Sequence, residues 1–500
     1  MEVGWQPGDL GAPPLPARAL RVPAMRRLVL PVLFAAALAA GPTAASQPTD
    51  ASAPYAEAAA RIRALALSDS AAYERVAGIA DAHGSRLSGS AALEAAIDDI
   101  LARMRADGLD RVRGQPVMVP VWIRGAESAA LVGPRGETPL AILGLGGSVG
   151  TPGITAPVLV VSSFDDLAAH AAEAAGRIVL FNVPFTTYGA TVRYRVGGAD
   201  AAARVGAVAA LVRSVTPRSL STPHTGTMRY AADVPATAQG APPRIPTAAV
   251  TVEAAERMQR MQSRGETPVV RLAMEARTEP DRLSRNIVAE VTGRERPNEI
   301  VVAGGHIDSW DVGQGAVDDL DGCVVAWEAV RVLRRLGLRP RRTVQVACWT
   351  NEENGARGGQ AYRDSVGAAT AGVQLALESD SGVFAPRGFG YTGAPGGLET
   401  LRAAVEPLIR PVLETAPADR IGLVAGGGGA DIEPLMDAGV PGLSLNTANE
   451  DYFFYHHTEA DTVDKLNPRD LARAVAATAV LLYVAAEMPE RLPHGAPAAP

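Results

Sequence analysis

Four short apolar runs, each closing on a cluster of polar side chains of the kind that bind metals, restrict this chain more than any other feature. The first is Ile300-Val301-Val302-Ala303, which Gly304-Gly305 are expected to end, followed by His306, Asp308, Asp311, Asp318, Asp319 and Asp321. The second, Thr343 to Cys348, leads into Trp349-Thr350-Asn351-Glu352-Glu353-Asn354-Gly355. The third, Val373 to Leu377, leads into Glu378-Ser379-Asp380, and the fourth, Val440 to Leu445, into a loop carrying His456 and His457. Apolar runs of this length read as strands buried in a sheet. Ligands of open α/β sheets bind beyond the carboxyl ends of the strands, so the four clusters are expected to meet in one crevice. Carboxylates crowded as they are after His306 call for a cation.

Each cluster has an ordinary reading by itself. His-x-Asp is common, Glu-Glu is usually a solvated turn, Ser-Asp a helix cap and His-His a loop accident. Their joint occurrence at four strand ends is what argues for a metal site. Two imidazoles with several carboxylates make a nitrogen and oxygen donor set suited to zinc, and less selectively to manganese or cobalt. The adjacent pair Glu352-Glu353 permits one glutamate to bind metal while its neighbour stays free as a base.

The strings GGHIDSWDVGQGAVDD, WTNEENGARGG, ESDSG and YFFYHHTEADT resemble the di-zinc peptidases of family M28, and the similarity extends over roughly residues 55 to 490. The resemblance implies an α/β fold, a phosphorylase/hydrolase-like mixed sheet flanked by helices and interrupted by a protease-associated-type α/β cap. It implies that His306, Asp318 and Asp380 hold one zinc and that Asp318, Glu353 and His457 hold the other, with Asp318 bridging. It further implies Glu352 as general base, the carboxylate of Asp308 as the group that orients His306, and an often cis peptide between Asp318 and Asp319.

The chain's 500 residues, 47% hydrophobic and 20% charged, are ordinary for a globular protein of two or more domains. A net charge of -7 gives no sign of nucleic-acid or anionic-membrane binding. Lys465 is the only lysine among 47 basic residues, so arginines carry less functional weight here than usual. Met25-Arg26-Arg27, the apolar segment Leu28 to Ala40 and the small residues up to Ser46 have the three parts of a secretory signal. The apolar part is too short to span a membrane comfortably. Residues 1–24 read as an extension ahead of the true start, 25–46 as the signal and 47–54 as linker or propeptide.

The body of the chain divides into a first peptidase segment (55–120), a cap insert (121–277), a second peptidase segment with the metal site (278–490) and a disordered tail (491–500). The first segment reads as helices Tyr73–His83 and Ala91–Ala106 and a strand Arg111–Val119; Gly84 and Gly108 stop the helices. The insert reads as short strands at Leu140–Leu143, Val158–Val161, Ile178–Phe181, Val208–Val212 and Ala248–Val252, with helical pieces Phe164–Ala175 and Ala199–Val205. Helices are expected at Val324–Leu336 and Pro468–Met488. An exported chain could pair its two cysteines, Cys323 and Cys348. Their apolar surroundings favour two unpaired buried thiols instead.

The expected activity is that of a secreted or periplasmic di-zinc exopeptidase acting on short peptides with free termini, most simply dipeptides. Arg195 or His224 of the cap would receive the substrate carboxylate, with Tyr194, Gly427 and His456 as further contacts; Gly426 to Gly429 would let backbone approach the substrate. A homodimer is compatible with this reading. A broad M28 aminopeptidase or an N-acyl amino acid hydrolase would use the same metal chemistry. A non-catalytic ectodomain of peptidase fold should have lost ligands or the base, which this chain keeps.

Overall fold

The computed structural model describes residues 50–231, 241–415 and 421–497. The extension at 1–24 and the signal segment at 25–46 lie outside the described residues. Within them the chain forms β1 (Asp110–Ile123), β2 (Glu127–Gly133), β3 (Gly136–Leu140), β4 (Ile142–Gly144), β5 (Thr151–Val161), β6 (Ile178–Phe181), β7 (Ala209–Arg213), β8 (Thr247–Val250), β9 (Val269–Met274), β10 (Arg277–Val291), β11 (Arg296–His306), β12 (Arg342–Trp349), β13 (Val373–Glu378), β14 (Pro386–Thr392), β15 (Gly422–Ala425) and β16 (Gly442–Thr447). One sheet runs β1-β10-β12-β11-β13-β16-β14-β15, the other β3-β2-β9-β5-β6-β7-β8-β4.

The centre of the first sheet is parallel: β12, β11, β13 and β16 pair in that sense, while β10 on one side runs antiparallel to β12 and β14 on the other runs antiparallel to β16. All residues of β12 and β13 are buried, as strands covered on both faces must be. Their carboxyl ends, with those of β11 and β16, therefore open on the same edge. Helices Ala56–Leu67, Ala71–His83, Ala91–Ala106, Asp321–Arg335 and Pro468–Glu487 share one apolar core with these strands. The last of them is rich in Ala, Val and Leu and buried along most of its length, the pattern of a helix enclosed by other elements rather than lying on the surface.

The second sheet is inserted between β1 and β10, which pair antiparallel from Asp110↔Glu290 to Ile123↔Arg277. That long two-stranded stem carries the chain out of the first sheet and back into it. The inserted sheet has its own two apolar clusters.

Several local expectations are corrected. Gly304 and Gly305 do not end the strand, which continues through His306; a Cβ at Gly304 would collide with the carbonyl of Ala347, and one at Gly305 with the carboxylate of Asp319. These glycines serve close approach, not termination. In the insert, the short helical piece at Ala199–Val205 is the end of a longer helix, Tyr188–Arg204, capped by Thr187, whose hydroxyl accepts from the Ala190 amide at 3.3 Å. Gly197-Gly198 disguised it: a Cβ at Gly198 would press on the Phe181 ring at 3.0 Å. Helix Ala56–Leu67, strands β2 and β9 and helix Val252–Ser263 add to the expected elements.

Cys323 and Cys348 form a disulfide, with Cα atoms 5.4 Å apart, and so are not free thiols. The bond joins the start of helix Asp321–Arg335 to the end of β12. Residues 491–497, expected to be disordered, are anchored: Leu492 is buried, the His494 ring nitrogen lies 2.8 Å from the Val373 carbonyl and the Gly495 amide donates to Gly439 at 2.8 Å.

Candidate metal centre

His306 is the last residue of β11 and is fully buried. Its amide donates to Asp319 Oδ2 at 2.9 Å, in the space left by Gly305. Its Nδ1 lies 2.8 Å from the backbone carbonyl of Asp308. A carbonyl can only accept, so Nδ1 carries a proton and Nε2 is the nitrogen available to a metal. Nε2 faces Asp318 Oδ1 at 3.1 Å and Asp380 Oδ1 at 3.7 Å. The Asp308 carboxylate was expected to make the orienting contact, but it stands 3.9 Å from Nδ1. It accepts instead from the Glu352 amide at 3.1 Å and the Ser88 hydroxyl at 3.0 Å. Asp308 thus orients His306 through its carbonyl and the Glu352 segment through its side chain.

Asp318 sits in the loop before helix Asp321–Arg335, with a cis peptide to Asp319. Asp461 holds that loop in place. Its Oδ1 accepts from the amides of Ala316 (2.9 Å) and Val317 (2.8 Å), and its Oδ2 from that of Asp318 (3.2 Å). Arg86, also fully buried, takes the neighbouring carbonyls, donating to Ile307 at 2.9 Å, Gln314 at 2.7 Å and Gly315 at 2.8 Å. One anion thus gathers the loop's amides and one cation its carbonyls.

The other Asp318 oxygen, Oδ2, is buried without a hydrogen-bond donor. His457 Nε2 stands 3.3 Å from it and His456 Nε2 3.8 Å. His457 Nε2 is also 3.0 Å from Glu353 Oε2. The inserted domain supports this half of the cluster. Thr225 donates its amide to the His457 carbonyl at 3.0 Å and offers its own carbonyl to His457 Nδ1 at 3.3 Å. Thr227 donates its hydroxyl to the Glu353 carbonyl at 2.7 Å. Asp318 is therefore common to two groups of candidate ligands, His306 with Asp380 on one side and His456 and His457 on the other, each with ligand atoms within 4.8 Å of one another.

The electrostatics are those of a site that attracts a cation. Burial opposes charge on both His306 and His457, yet Asp318 and Asp380 hold His306 well above its ordinary value, and Glu353 and Asp318 raise His457 to about 10. Asp318, despite burial, is held well below the usual carboxylate range by His306 and His457. Burial raises Glu353 to about 7, against the opposing pull of His457. Without a metal the imidazoles must carry the positive charge that the carboxylates demand. An orphaned carboxylate oxygen, two imidazole Nε2 atoms aimed at it and flanking carboxylates are the donor set of a zinc site, so these residues fit that ion.

Glu352, beside the ligand candidate Glu353, lines the same crevice. Burial, with the charges of Asp380, Glu353 and Asp318, pushes its carboxyl well above the carboxylate range against the pull of His306. The crevice encloses about 460 Å³ between Asp318, Glu352, Glu353, Asp380, His456 and His457 on one side and Tyr188, Val192, Arg195, Val196, Thr227 and Arg229 of the inserted domain on the other.

A profile of peptidase family M28 matches residues 286–482. Carboxypeptidase Q of Mus musculus is 45% identical over 424 residues, covering 84% of this chain and 87% of that protein. The chain belongs to peptidase family M28. It is a zinc-dependent metallopeptidase with the family's mixed α/β fold. Carboxypeptidase Q of Homo sapiens is likewise 45% identical, over 84% of this chain and 86% of its own. Among solved structures, a peptidase M28 precursor from Shewanella amazonensis superimposes with a TM-score of 0.82 at 32% identity, covering 89% of this chain and 99% of that one. A zinc aminopeptidase from Bacillus subtilis shares the fold at 20% identity, with a TM-score of 0.62 over 84% of this chain and 96% of its own.

Of the expected substrate contacts, Arg195 and His456 line the crevice. Arg195 lines the crevice but is buried and committed: Nη1 donates to the Thr225 carbonyl at 3.2 Å and Nη2 to the Tyr188 hydroxyl at 2.9 Å. His224 is buried behind the site, its Nδ1 2.8 Å from the His456 carbonyl, and burial drives it down to about 3, so it stays neutral and offers no charge. Tyr194 packs with Phe164 and Phe181, away from the crevice, and Gly427 lines a separate depression. His456 does line the crevice, stacked on His457 at 3.5 Å. Asp461 was missed although it stands in the string YFFYHHTEADT, where only His456 and His457 drew notice, and Thr225 and Thr227 were missed although they lie just beyond His224. Arg86 had no signal beyond an arginine beside Ser85.

No helix among the described residues is long and apolar enough to cross a membrane.

Proposed function

We propose that the protein is an exported di-zinc exopeptidase that hydrolyses short peptides with both termini free, most simply dipeptides. One zinc would be held by His306, Asp318 and Asp380, and the second by Asp318, Glu353 and His457. The observation that carries the reading is Asp318, whose two oxygens each face an imidazole Nε2, at 3.1 Å and 3.3 Å, inside a crevice that also holds Glu352. When bound, a zinc pair supplies Lewis-acid polarisation of the scissile carbonyl and acidifies the attacking water.

Glu352 is the chain's own contribution to proton transfer. Its amide is fixed by Asp308, burial raises its carboxyl above the usual carboxylate range, and it is not needed as a ligand. It takes a proton from the attacking water and passes it to the leaving amine. The neighbouring carboxylates receive the substrate's α-amine, which sets the cut one peptide bond in. A crevice of about 460 Å³ stands at the small end of ligand cavities, and residues of the inserted domain line part of it.

A broad aminopeptidase is the second reading, favoured by the commitment of Arg195 and His224 elsewhere, which removes the expected stop for a carboxylate. Export rests on the signal-like segment 25–46 alone. The deciding experiment is kcat/KM for a dipeptide, its C-terminal amide and its N-acetyl form. Strong preference for the doubly free dipeptide supports the proposal; equal rates on peptide and amide favour the aminopeptidase.

A further inference from the structure

Two cations line the crevice, and only one has its side chain engaged. Arg195 is spent on Tyr188 and Thr225, as described above. Arg229 is exposed on the crevice wall, and its guanidinium has no hydrogen bond or ion pair among the described residues. Its backbone is fixed: its amide donates to the Val196 carbonyl at 2.8 Å, and the preceding Met228 amide donates to Gly146 at 2.9 Å. Two residues earlier Thr227 donates to the Glu353 carbonyl at 2.7 Å. The arginine is thus mounted on a segment that is itself tied to the metal-binding strand end.

From this placement we infer that Arg229 receives the α-carboxylate of the substrate and so sets its length, an inference that rests on the dipeptidase reading above. The crevice is lined by carboxylates (Asp318, Glu352, Glu353, Asp380), by Tyr188, Val192 and Val196, and by one unengaged guanidinium. That polarity matches a zwitterion: the amine is drawn to the acidic side and the carboxylate to Arg229. The planar fork of an arginine binds a carboxylate through two parallel N–H bonds. Val192 and Val196, one helical turn apart on Tyr188–Arg204, and Tyr188 one turn before them leave room for an apolar side chain between the two charged ends. A longer peptide could satisfy the amine end or the carboxylate end, but not both.

The test compares Ala-Leu with Ala-Leu amide in the zinc-loaded wild type, Arg229→Gln and Arg229→Lys, with metal content and Tm measured for each. The wild type is expected to prefer the free acid by about 10-fold or more, as one charge-assisted contact would give. In Arg229→Gln the acid's kcat/KM should fall about 10-fold, chiefly through KM, while the amide's falls less than about threefold; the preference then collapses. Arg229→Lys should restore part of it as a point charge without the fork. Arg387 supplies the comparison: its Nε is buried without a partner, and it lines a cavity of about 290 Å³ that shares Ser381 with the crevice. A wild-type preference that survives Arg229→Gln, or that collapses in Arg387→Gln instead, overturns the inference while leaving the dipeptidase reading intact. A wild type indifferent to amidation overturns both.

Discussion

Asp461 holds Asp318 by its backbone: the carboxylate of the first accepts the amide of the second at 3.2 Å and those of the two residues before it at 2.8 Å and 2.9 Å. The candidate bridging ligand therefore depends on a residue four positions beyond His457. Replacing Asp461 by Ala leaves three buried amides without an acceptor, each costing about 1–3 kcal/mol. The expected outcome is a large fall in Tm and loss of zinc from both positions. Asp461→Asn keeps one acceptor oxygen and should fall between. Calorimetry and metal analysis on the two variants check this; an Asp461→Ala protein with full zinc content would show that the loop is held by other means.

Glu352→Gln should retain zinc and lose activity. The amide preserves the shape and the hydrogen bond from the Glu352 backbone to Asp308, but cannot take a proton from water. A fall in kcat of about 10²-fold or more is the size expected for removing a general base. Single-turnover rates on metal-loaded protein would measure it, and near-wild-type turnover would remove Glu352 from the chemistry.

Asp318→Ala should lose metal at both positions, since one carboxylate faces both imidazoles, whereas His457→Ala should empty one. His456 makes this sharper. Its Nε2 is 3.8 Å from Asp318 Oδ2, farther than that of His457, and it could substitute for Glu353 or His457 as a ligand. If Glu353 is the ligand, His456→Ala keeps two equivalents of zinc per chain and Glu353→Ala keeps one. The reverse pattern would reassign the second position.

That these carboxylates and imidazoles would meet in one crevice was legible in the sequence, because metal chemistry admits few side-chain types and strand ends bring distant segments to one edge. What holds them was not. Thr225 and Thr227 act through a carbonyl, an amide and a hydroxyl, groups that most residues also carry and that no composition singles out. Asp308 was assigned the right neighbour and the wrong atom, since a backbone carbonyl leaves no mark in a sequence. The glycines at 304 and 305 were misread for a related reason: glycine ends strands and also admits close backbone approach, and only the packing of β12 and Asp319 against β11 distinguishes the two. The substrate side was least legible. Arg195 was chosen for its charge, but its burial against Thr225 and Tyr188 could not be foreseen, and Arg229 looked like any other arginine in an arginine-rich chain.

The titration of the metal-stripped protein gives the last prediction. Glu353 and Asp461 are each raised to about 7 by burial from ordinary carboxylate values near 4, and His457 to about 10 from 6.5, with Glu353 and Asp318 overcoming its burial. A group whose folded pKa is raised binds its proton more tightly when folded, so its stabilising effect is complete below the unfolded value and is lost as pH rises through the folded one. For the two carboxylates that window is about 4 to 7, and for His457 about 6.5 to 10. All three act in the same direction, so between about pH 6 and 9 the protein freed of zinc by a chelator should lose Tm steadily as pH increases. Zinc should reverse the trend, because binding favours neutral imidazoles and ionised carboxylates, the forms that rising pH supplies. Thermal unfolding across that range, with chelator and then with excess zinc, gives the two slopes. A chelated protein that gained Tm toward pH 9 would mean that the imidazoles do not take over the positive charge of the missing metal.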